Sequence, residues 1–276
     1  MKPTELLKQG SAILDRANID NSRREAEFIL SYILQNETAD LYVSDSLSDG
    51  HLQKFMEMID RRCNGEPLQL ILGEWDFYNL KLDLKKGVFI PRPETEGLVE
   101  LVLNLINPAN FYKGMEIGIG SGAISLALLK KIVNLNMVAT DISRKALNLT
   151  AINAKKNNLG SRLNLILTDV FSGIQGKFDF IISNPPYILS SEIHRLPTEV
   201  RYDPIEALDG GNDGLSIVRE IACGAESVLK PGGFIALEIH EEMVESTSGL
   251  FQANFEVCVE KDLNQKNRYL IAFYRR

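Results

Sequence analysis

The sequence predicts an α/β protein in which a small N-terminal helical bundle leads, through a β-hairpin, into a doubly wound parallel sheet of seven strands whose last two run antiparallel. Three observations carry that expectation. Leu6, Leu7, Ile13, Leu14 and Ala17, then Ala26, Ile29, Leu30, Ile33 and Leu34, then Leu52, Phe55, Met56 and Ile59 recur at helical spacing. From Trp75 to Leu84 the pattern shortens to alternating apolar positions with turn chemistry at Asn79 and at Lys86-Gly87. From about Lys113 onward, short apolar runs alternate with amphipathic stretches, the pattern of strands covered by helices on both faces.

These changes of pattern divide the chain into a helical domain at 1–72, a hairpin linker at 73–90 and a sheet domain at 91–276. Pro91-Arg92-Pro93-Glu94 places prolines and acids where helix starts prefer them, so a helix is expected from Glu94 to Ile106. The strands fall near Met115–Ile117, Met137–Thr140, Leu163–Leu167, Phe178–Ser183, Phe234–Ile239, Phe255–Val259 and Tyr269–Phe273. Only Glu260 to Arg268 separate the last two, too short for a crossover helix, so these two pair antiparallel.

Composition narrows the function classes. Of 276 residues 45% are hydrophobic and 24% charged, which suits a soluble core-forming protein. The formal charge is −7, and residues 1–75 hold 8 Lys/Arg against 13 Asp/Glu, so the field that draws proteins to nucleic acid is missing. Cys63, Cys223 and Cys258 are scattered, without a CxxC pair, and read as reduced core-filling thiols. His51, His194 and His240 stand alone, so no metal is expected. The N-terminus reads as an amphipathic stretch without a signal peptide's apolar core, and Leu98–Ile106 is broken by Glu100 and too short to span a bilayer. A monomer in the cytoplasm, bound to neither membrane nor nucleic acid, is the expectation.

Two motifs carry chemistry. Gly118-Ile119-Gly120-Ser121-Gly122-Ala123 lies between the first strand of the sheet and the following helix, where glycines let backbone approach a ligand at the edge that open α/β sheets use for binding. Asp141 ends the second strand, where a carboxylate can accept from two ribose hydroxyls, and Asp169 ends the third, within reach of an adenine amine. Because Gly118, Gly120 and Ala123 also satisfy a loose dinucleotide fingerprint, the loop alone admits NAD as readily as S-adenosylmethionine.

The fourth strand runs directly into Asn184-Pro185-Pro186-Tyr187. Two prolines fix two φ angles and remove two donors, leaving a stiff turn whose backbone oxygens can only accept. An amide or aromatic amine is a poor nucleophile because its lone pair is delocalised. Acceptors on its two N–H bonds, the Asn184 side-chain oxygen and the Pro185 carbonyl, would concentrate density on nitrogen and aim it at a methyl sulfonium, with Tyr187 packed on the planar group. Hydride transfer has no use for this arrangement, so S-adenosyl-L-methionine replaces NAD as the expected cofactor of a Rossmann-like methyltransferase.

With these motifs the chain resembles the HemK/PrmC protein-glutamine methyltransferases over nearly its whole length. The resemblance runs through Glu66-Pro67-Leu68-Gln69-Leu70-Ile71-Leu72-Gly73, Phe77-Tyr78, Val88 to Glu96, the glycine loop, Asp141-Ile142-Ser143, Ser183 to Ile188, Glu199-Val200-Arg201-Tyr202 and Gly210 to Leu215. The Asn-Pro-Pro-Tyr motif is shared with adenine methyltransferases, whereas Pro91–Glu96 and Glu199–Leu215 are particular to this family. The resemblance implies that peptide chain release factors are the partners and that Asn184 and Pro185 hold the glutamine amide of their Gly-Gly-Gln loop. It further implies that Gly118, Ile119, Gly120, Ser121, Gly122, Asp141, Asp169, Val170 and Asn184 hold the cofactor, with Phe89 nearby. The rival reading is a DNA or RNA adenine N6-methyltransferase, since a flipped base fits the same pocket. Three positions depart from the family pattern. Val170 replaces an aromatic residue, leaving the adenine contact weaker or supplied by Phe171. His240-Glu241-Glu242-Met243 replaces the family's usual Gly and Gln after the fifth strand and Asn264-Gln265-Lys266-Asn267 a glycine-containing turn before Arg268, both expected to lie away from the nitrogen pocket, with His240 a solvated strand-end residue.

Overall fold

A computed structural model describes residues 1–35, 47–251 and 254–275. The chain forms two compact units, one from Met1–Glu74 with Pro197–Tyr202, the other from Trp75–Leu196 with Asp203–Arg276.

The first unit is helical. Helix α1 (Pro3–Arg16) starts with proline at its first position, and the Lys2 backbone N–H donates to Glu5 Oε2 at 3.2 Å. Helix α2 (Ser22–Leu34) buries Ala26, Ile29 and Leu30, and α3 (Asp49–Cys63) buries Phe55, Met58 and Ile59. Ser48 caps α3 by accepting from the His51 N–H at 3.3 Å. Phe55 is wholly buried and lies over Gly10 of α1, where an added Cβ would come within 2.6 Å of its ring. A short helix, α4 (Leu68–Leu72), ends at Gly73, whose positive φ stops it. Arg62, 5% exposed, ties the unit together by donating from Nε to Glu25 at 2.6 Å and from Nη2 to Glu199 at 3.1 Å. Residues 197–202 thereby belong to the helical unit although sheet residues flank them on both sides.

The second unit begins within a hairpin, from Trp75 of β1 (Glu74–Phe77) through β2 (Leu80–Asp83), joined through Tyr78 and Asn79, both at positive φ as a tight hairpin turn requires. The hairpin is part of this unit's core: Phe77, Leu80 and Leu82 are buried with Leu98, Val99 and Leu128. Helix α5 (Glu94–Leu105) follows, its first turn holding Glu94 and Glu96 where acids complement the helix dipole. The sheet contains β3 (Tyr112–Ile117), β4 (Leu135–Asp141), β5 (Leu163–Leu167), β6 (Phe178–Ser183), β7 (Leu229–Glu238), β8 (Phe255–Lys261) and β9 (Asn267–Tyr274). Helices α6 (Ala123–Lys131), α7 (Arg144–Lys156), α8 (Ser216–Val228) and α9 (Val244–Gly249) connect them.

The strand order is β5-β4-β3-β6-β7-β9-β8. Strands β3 to β7 pair in parallel, while β9 is antiparallel to both β7 and β8. The antiparallel last pair is as expected from the short connection. Within the sheet β9 lies between β7 and β8 and runs antiparallel to both. Two apolar layers sandwich the sheet, one of α5 and α6 residues with Phe180 and Phe234, the other of α8 residues with Phe178, Ile181 and Leu237. Cys223 and Cys258 are exposed, so those thiols are not the core filler their apolar character suggested. Among the described residues no helix is long and apolar enough to cross a membrane.

Arg62→Ala should lower the unfolding free energy by about 1–3 kcal/mol, because it strips charged hydrogen bonds from a buried arginine and leaves Glu25 without that partner. Urea denaturation followed by circular dichroism checks this; an unchanged midpoint would remove Arg62 from the forces holding the helical unit.

Candidate active site

The order of the sheet reverses between β3 and β6, whose C-terminal ends lie side by side with Ile117 opposite Ser183. Ligands of open α/β sheets bind at such a switch point, where loops part to opposite faces. The glycine loop leaves β3 there and Asn184-Pro185-Pro186-Tyr187 leaves β6. Ser183 Oγ donates to the Ile117 carbonyl at 2.8 Å, fixing one loop root to the other.

Gly118, Gly120 and Gly122 all have positive φ, which side-chain-bearing residues rarely adopt. At Gly118 and Gly120 a Cβ would meet nothing within 4 Å, so the loop presents bare backbone to open space. Helix α7 holds it from below. Thr150 Oγ1 donates to the Gly120 carbonyl at 3.0 Å, and Asn153 Nδ2 donates to the Ser121 carbonyl at 2.9 Å. Asn153 also exchanges hydrogen bonds with the Asp83 backbone, at 2.7 and 3.1 Å, so the hairpin and glycine loop share one anchor. Asp141 accepts from Gly120 N–H at 3.0 Å and Ser143 N–H at 2.7 Å, one per oxygen, leaving further lone pairs for ligand hydroxyls. Burial pushes the Asp141 carboxyl upward, opposed by those two backbone donors.

Behind the loop, Glu116 is 1% exposed and accepts from Ser125 N–H at 2.9 Å and from its hydroxyl, clamping the first turns of α6. Burial pushes this carboxyl up to about 8.

Asp169 is exposed at the end of β5. Val170 has φ 41°, unfavourable for a β-branched residue; its side chain is buried in the core and its carbonyl accepts from Thr140 Oγ1 at 3.3 Å. Phe171 packs against Gly224 of α8, where an added Cβ would come within 2.4 Å of the ring. Phe89 is half-buried with the Arg92 guanidinium 5.2 Å from its ring centre. Its segment is fixed by buried Asp203, which accepts from Ile90 N–H at 2.9 Å and pairs with Arg92.

In the Asn-Pro-Pro-Tyr turn, Pro185 is buried and Asn184 and Tyr187 are half-buried. Asn184 Nδ2 donates to Thr95 Oγ1 at 3.1 Å, so its side-chain oxygen is the opposite, accepting end. Thr95 Oγ1 in turn donates to Glu238 Oε2 at 2.8 Å. The turn is braced from behind by the loop at Gly210–Gly214. Ile188 N–H donates to the Leu208 carbonyl at 2.9 Å, and Gly210 N–H returns to the Ile188 carbonyl at 2.8 Å. A Cβ at Gly210 would approach the Pro186 oxygen to 2.8 Å and one at Gly214 the Tyr187 oxygen to 2.6 Å, which is why glycine stands at both. The sequence offered Gly210–Leu215 only as a point of resemblance; its physical role is this backbone-to-backbone contact.

His240 does not lie away from the pocket. Its ring centre is 5.8 Å from that of Tyr187, because β7 ends beside β6 and carries its terminal residues to the same edge. Asn264-Gln265-Lys266-Asn267 forms the turn leading into β9. Asp262 organises it by accepting from the Asn264 and Lys266 N–H groups at 2.8 and 3.0 Å, and the Arg268 charge acts on Tyr187. Burial, the larger effect, still leaves the Tyr187 phenol above its ordinary value.

Residues 79–198 match the methyltransferase small domain family, and residues 5–73 match the PrmC N-terminal domain family. A solved methyltransferase from Pyrococcus furiosus shares the fold at 20% identity with a TM-score of 0.55, covering 71% of this chain and 90% of that one. The human Mettl16 catalytic domain, solved with an RNA hairpin, does so at 15% identity and 0.56, covering 83% and 82%. Sheet order, open glycine loop and adjoining Asn-Pro-Pro-Tyr turn define a methyltransferase. Release factor glutamine methyltransferases of Haemophilus influenzae and Clostridium acetobutylicum are 33% and 34% identical, covering 100% and 99% of this chain and 100% and 98% of their own. The human MTRF1L release factor glutamine methyltransferase is 34% identical over 96% of this chain and 86% of its own. The chain belongs to the release factor glutamine methyltransferase family.

Glu116 holds its proton more tightly folded than unfolded, so the linked stability is fully present below about pH 4.5 and is lost as pH rises through about 8. The melting temperature of the parent should therefore fall more between pH 5 and 8.5 than that of Glu116→Gln, with a residual slope from buried Glu238. Parallel slopes in scanning calorimetry would mean that Glu116 titrates normally.

Proposed function

We propose that this chain transfers the methyl group of S-adenosylmethionine to the side-chain amide nitrogen of the glutamine in the Gly-Gly-Gln motif of peptide chain release factors. The observation that carries the reading is the orientation of Asn184, whose amide nitrogen is taken by Thr95 and whose oxygen is left to accept from an N–H donor beside the open glycine loop.

The residues present suit the cofactor. Space over Gly118 and Gly120 admits a ligand against backbone, and Asp141 retains lone pairs for ribose hydroxyls. When bound, S-adenosylmethionine supplies a methyl group on a positively charged sulfur. Everything else falls to the chain. Asn184 Oδ1 and the Pro185 carbonyl accept the two N–H bonds of the glutamine amide, opposing delocalisation of the nitrogen lone pair and holding it in line with the methyl carbon. Tyr187 covers the planar group and excludes water. Methyl transfer from the bound cofactor would leave positive charge on the amide nitrogen, which the Asn184 Oδ1 and Pro185 carbonyl dipoles would stabilise until one N–H proton passes to solvent water as the site reopens.

A single glutamine side chain offers few contacts, so the energy aligning it must come from the protein around it. Residues 1–72 are the domain available to grip such a macromolecule.

Two expectations follow. Asp141→Ala should weaken S-adenosylmethionine binding by about 1–3 kcal/mol in isothermal calorimetry, the cost of losing charge-assisted hydrogen bonds to the ligand and to Gly120. Unchanged affinity, or tight NAD binding by the parent, would count against the cofactor assignment. Mass spectrometry after incubation with cofactor should find one added methyl on the Gly-Gly-Gln glutamine of an intact release factor, formed far faster than on a short peptide. Preferential methylation of duplex DNA would favour the adenine reading, and equal rates on factor and peptide would remove the docking role of residues 1–72.

A further inference from the structure

We propose that Thr95 and Glu238 are positioning residues for methyl transfer, fixing which end of the Asn184 side chain faces the acceptor nitrogen. The proposal takes from the function above only that Asn184 accepts from that nitrogen.

A primary amide can turn over in its site, exchanging oxygen and nitrogen with little change in shape, and only one orientation serves here. The choice is made by a chain of two hydrogen bonds, Asn184 Nδ2 to Thr95 Oγ1 at 3.1 Å and Thr95 Oγ1 to Glu238 Oε2 at 2.8 Å. Thr95 is 4% exposed and Glu238 3%, so bulk water does not compete for either. A hydroxyl has one hydrogen. With that hydrogen on the carboxylate, Thr95 presents only lone pairs to Asn184, and only the NH2 end of the amide can meet them. The carbonyl end is thereby held toward the site. The three residues come from the first turn of α5, the end of β7 and the loop after β6.

Five charged or titratable neighbours face the Glu238 carboxyl: Arg92 and Glu94 from the segment opening α5, Arg268 and Tyr269 from β9, and Tyr187 from the catalytic turn. Burial dominates them and raises the group to about 7. Once protonated, Glu238 can donate to Thr95, freeing the threonine hydrogen to point at Asn184 and stabilising the inverted amide. Acid therefore reverses the relay, and kcat should climb with pH through about 7.

The test compares the parent with Thr95→Val, Thr95→Ser and Glu238→Gln. Thr95→Val, nearly the same in shape, should lower kcat on the release factor about 10- to 100-fold, the equivalent of one buried hydrogen bond. KM and cofactor affinity should stay within about threefold. Thr95→Ser should restore most of the rate, and Glu238→Gln should flatten the limb near pH 7. A second readout needs no substrate. The Asn184 side-chain NH2 signals in nitrogen-15 NMR, assigned by their loss in Asn184→Asp, should exchange slowly in the parent and Thr95→Ser and fast in Thr95→Val. Parental kcat in Thr95→Val, a change confined to KM, or equal exchange in parent and Thr95→Val would overturn the proposal. A parent that methylates no release factor would instead sink the proposed function, with the NMR comparison still deciding whether the relay holds Asn184.

Discussion

The parallel pairing of β3 with β6 is the constraint on which the rest of the site depends. Ile117 and Ser183 lie opposite one another, so the two loops that follow begin about one strand spacing apart, roughly 4.8 Å. Beyond this pair, α6 packs into one apolar layer and α8 into the other. A one-residue slip would turn every β6 side chain to the other face, forcing Phe178, Phe180 and Ile181 into the opposite apolar layers where their present cavities do not lie, and would move Asn184 along the edge. The apolar layers on the two sides of the sheet therefore set the position of Asn184 as firmly as any hydrogen bond does.

What that pairing brings together, the surrounding loops keep stiff. The glycine loop is fastened through carbonyls, by Thr150 and Asn153, and through one N–H, by Asp141, while Gly118 and Gly120 stay bare. The Asn-Pro-Pro-Tyr turn has prolines that cannot donate, and its oxygens at 186 and 187 lie against Gly210 and Gly214. Both loops are thus held on the side away from the ligand edge, which spares the binding face from supplying its own scaffolding. Asp203 extends the same device to the Phe89–Arg92 segment.

Much of this was legible in the sequence because it is local. Strand positions follow from apolar runs, although β3 and β7 begin before those runs, at Tyr112 and Leu229, and the hairpin turn follows from Asn79. The glycine loop and Asn-Pro-Pro-Tyr turn are each one continuous motif. The rest depends on partners far apart in the chain. Thr95 meets Asn184 across 89 positions and Glu238 across 143, and no periodicity announces such a contact. The sequence places His240 at a solvated strand end away from the pocket, yet its ring lies near Tyr187 because β7 borders β6. The exposure of Cys223 and Cys258 likewise follows from which face of α8 and β8 meets the core, which composition cannot tell.

The place of β9 carries a consequence for how the protein comes to be made. It follows β8 in the chain yet lies between β8 and β7. A ribosome therefore delivers β8 before the strand that must come between it and the sheet, so for the time needed to translate the intervening turn and β9, both neighbours present unpaired backbone. The direct alternative, β8 zipped onto β7 in parallel, would satisfy those groups and shut β9 out. Asp262 and the compact turn it organises deliver β9 next to β8 within a few residues, so the antiparallel pair can form as a local hairpin and dock as one piece. Because Tyr269 arrives with that piece, the hydrogen bond its hydroxyl donates to the Glu94 carbonyl at the start of α5 is among the last features of the domain to form.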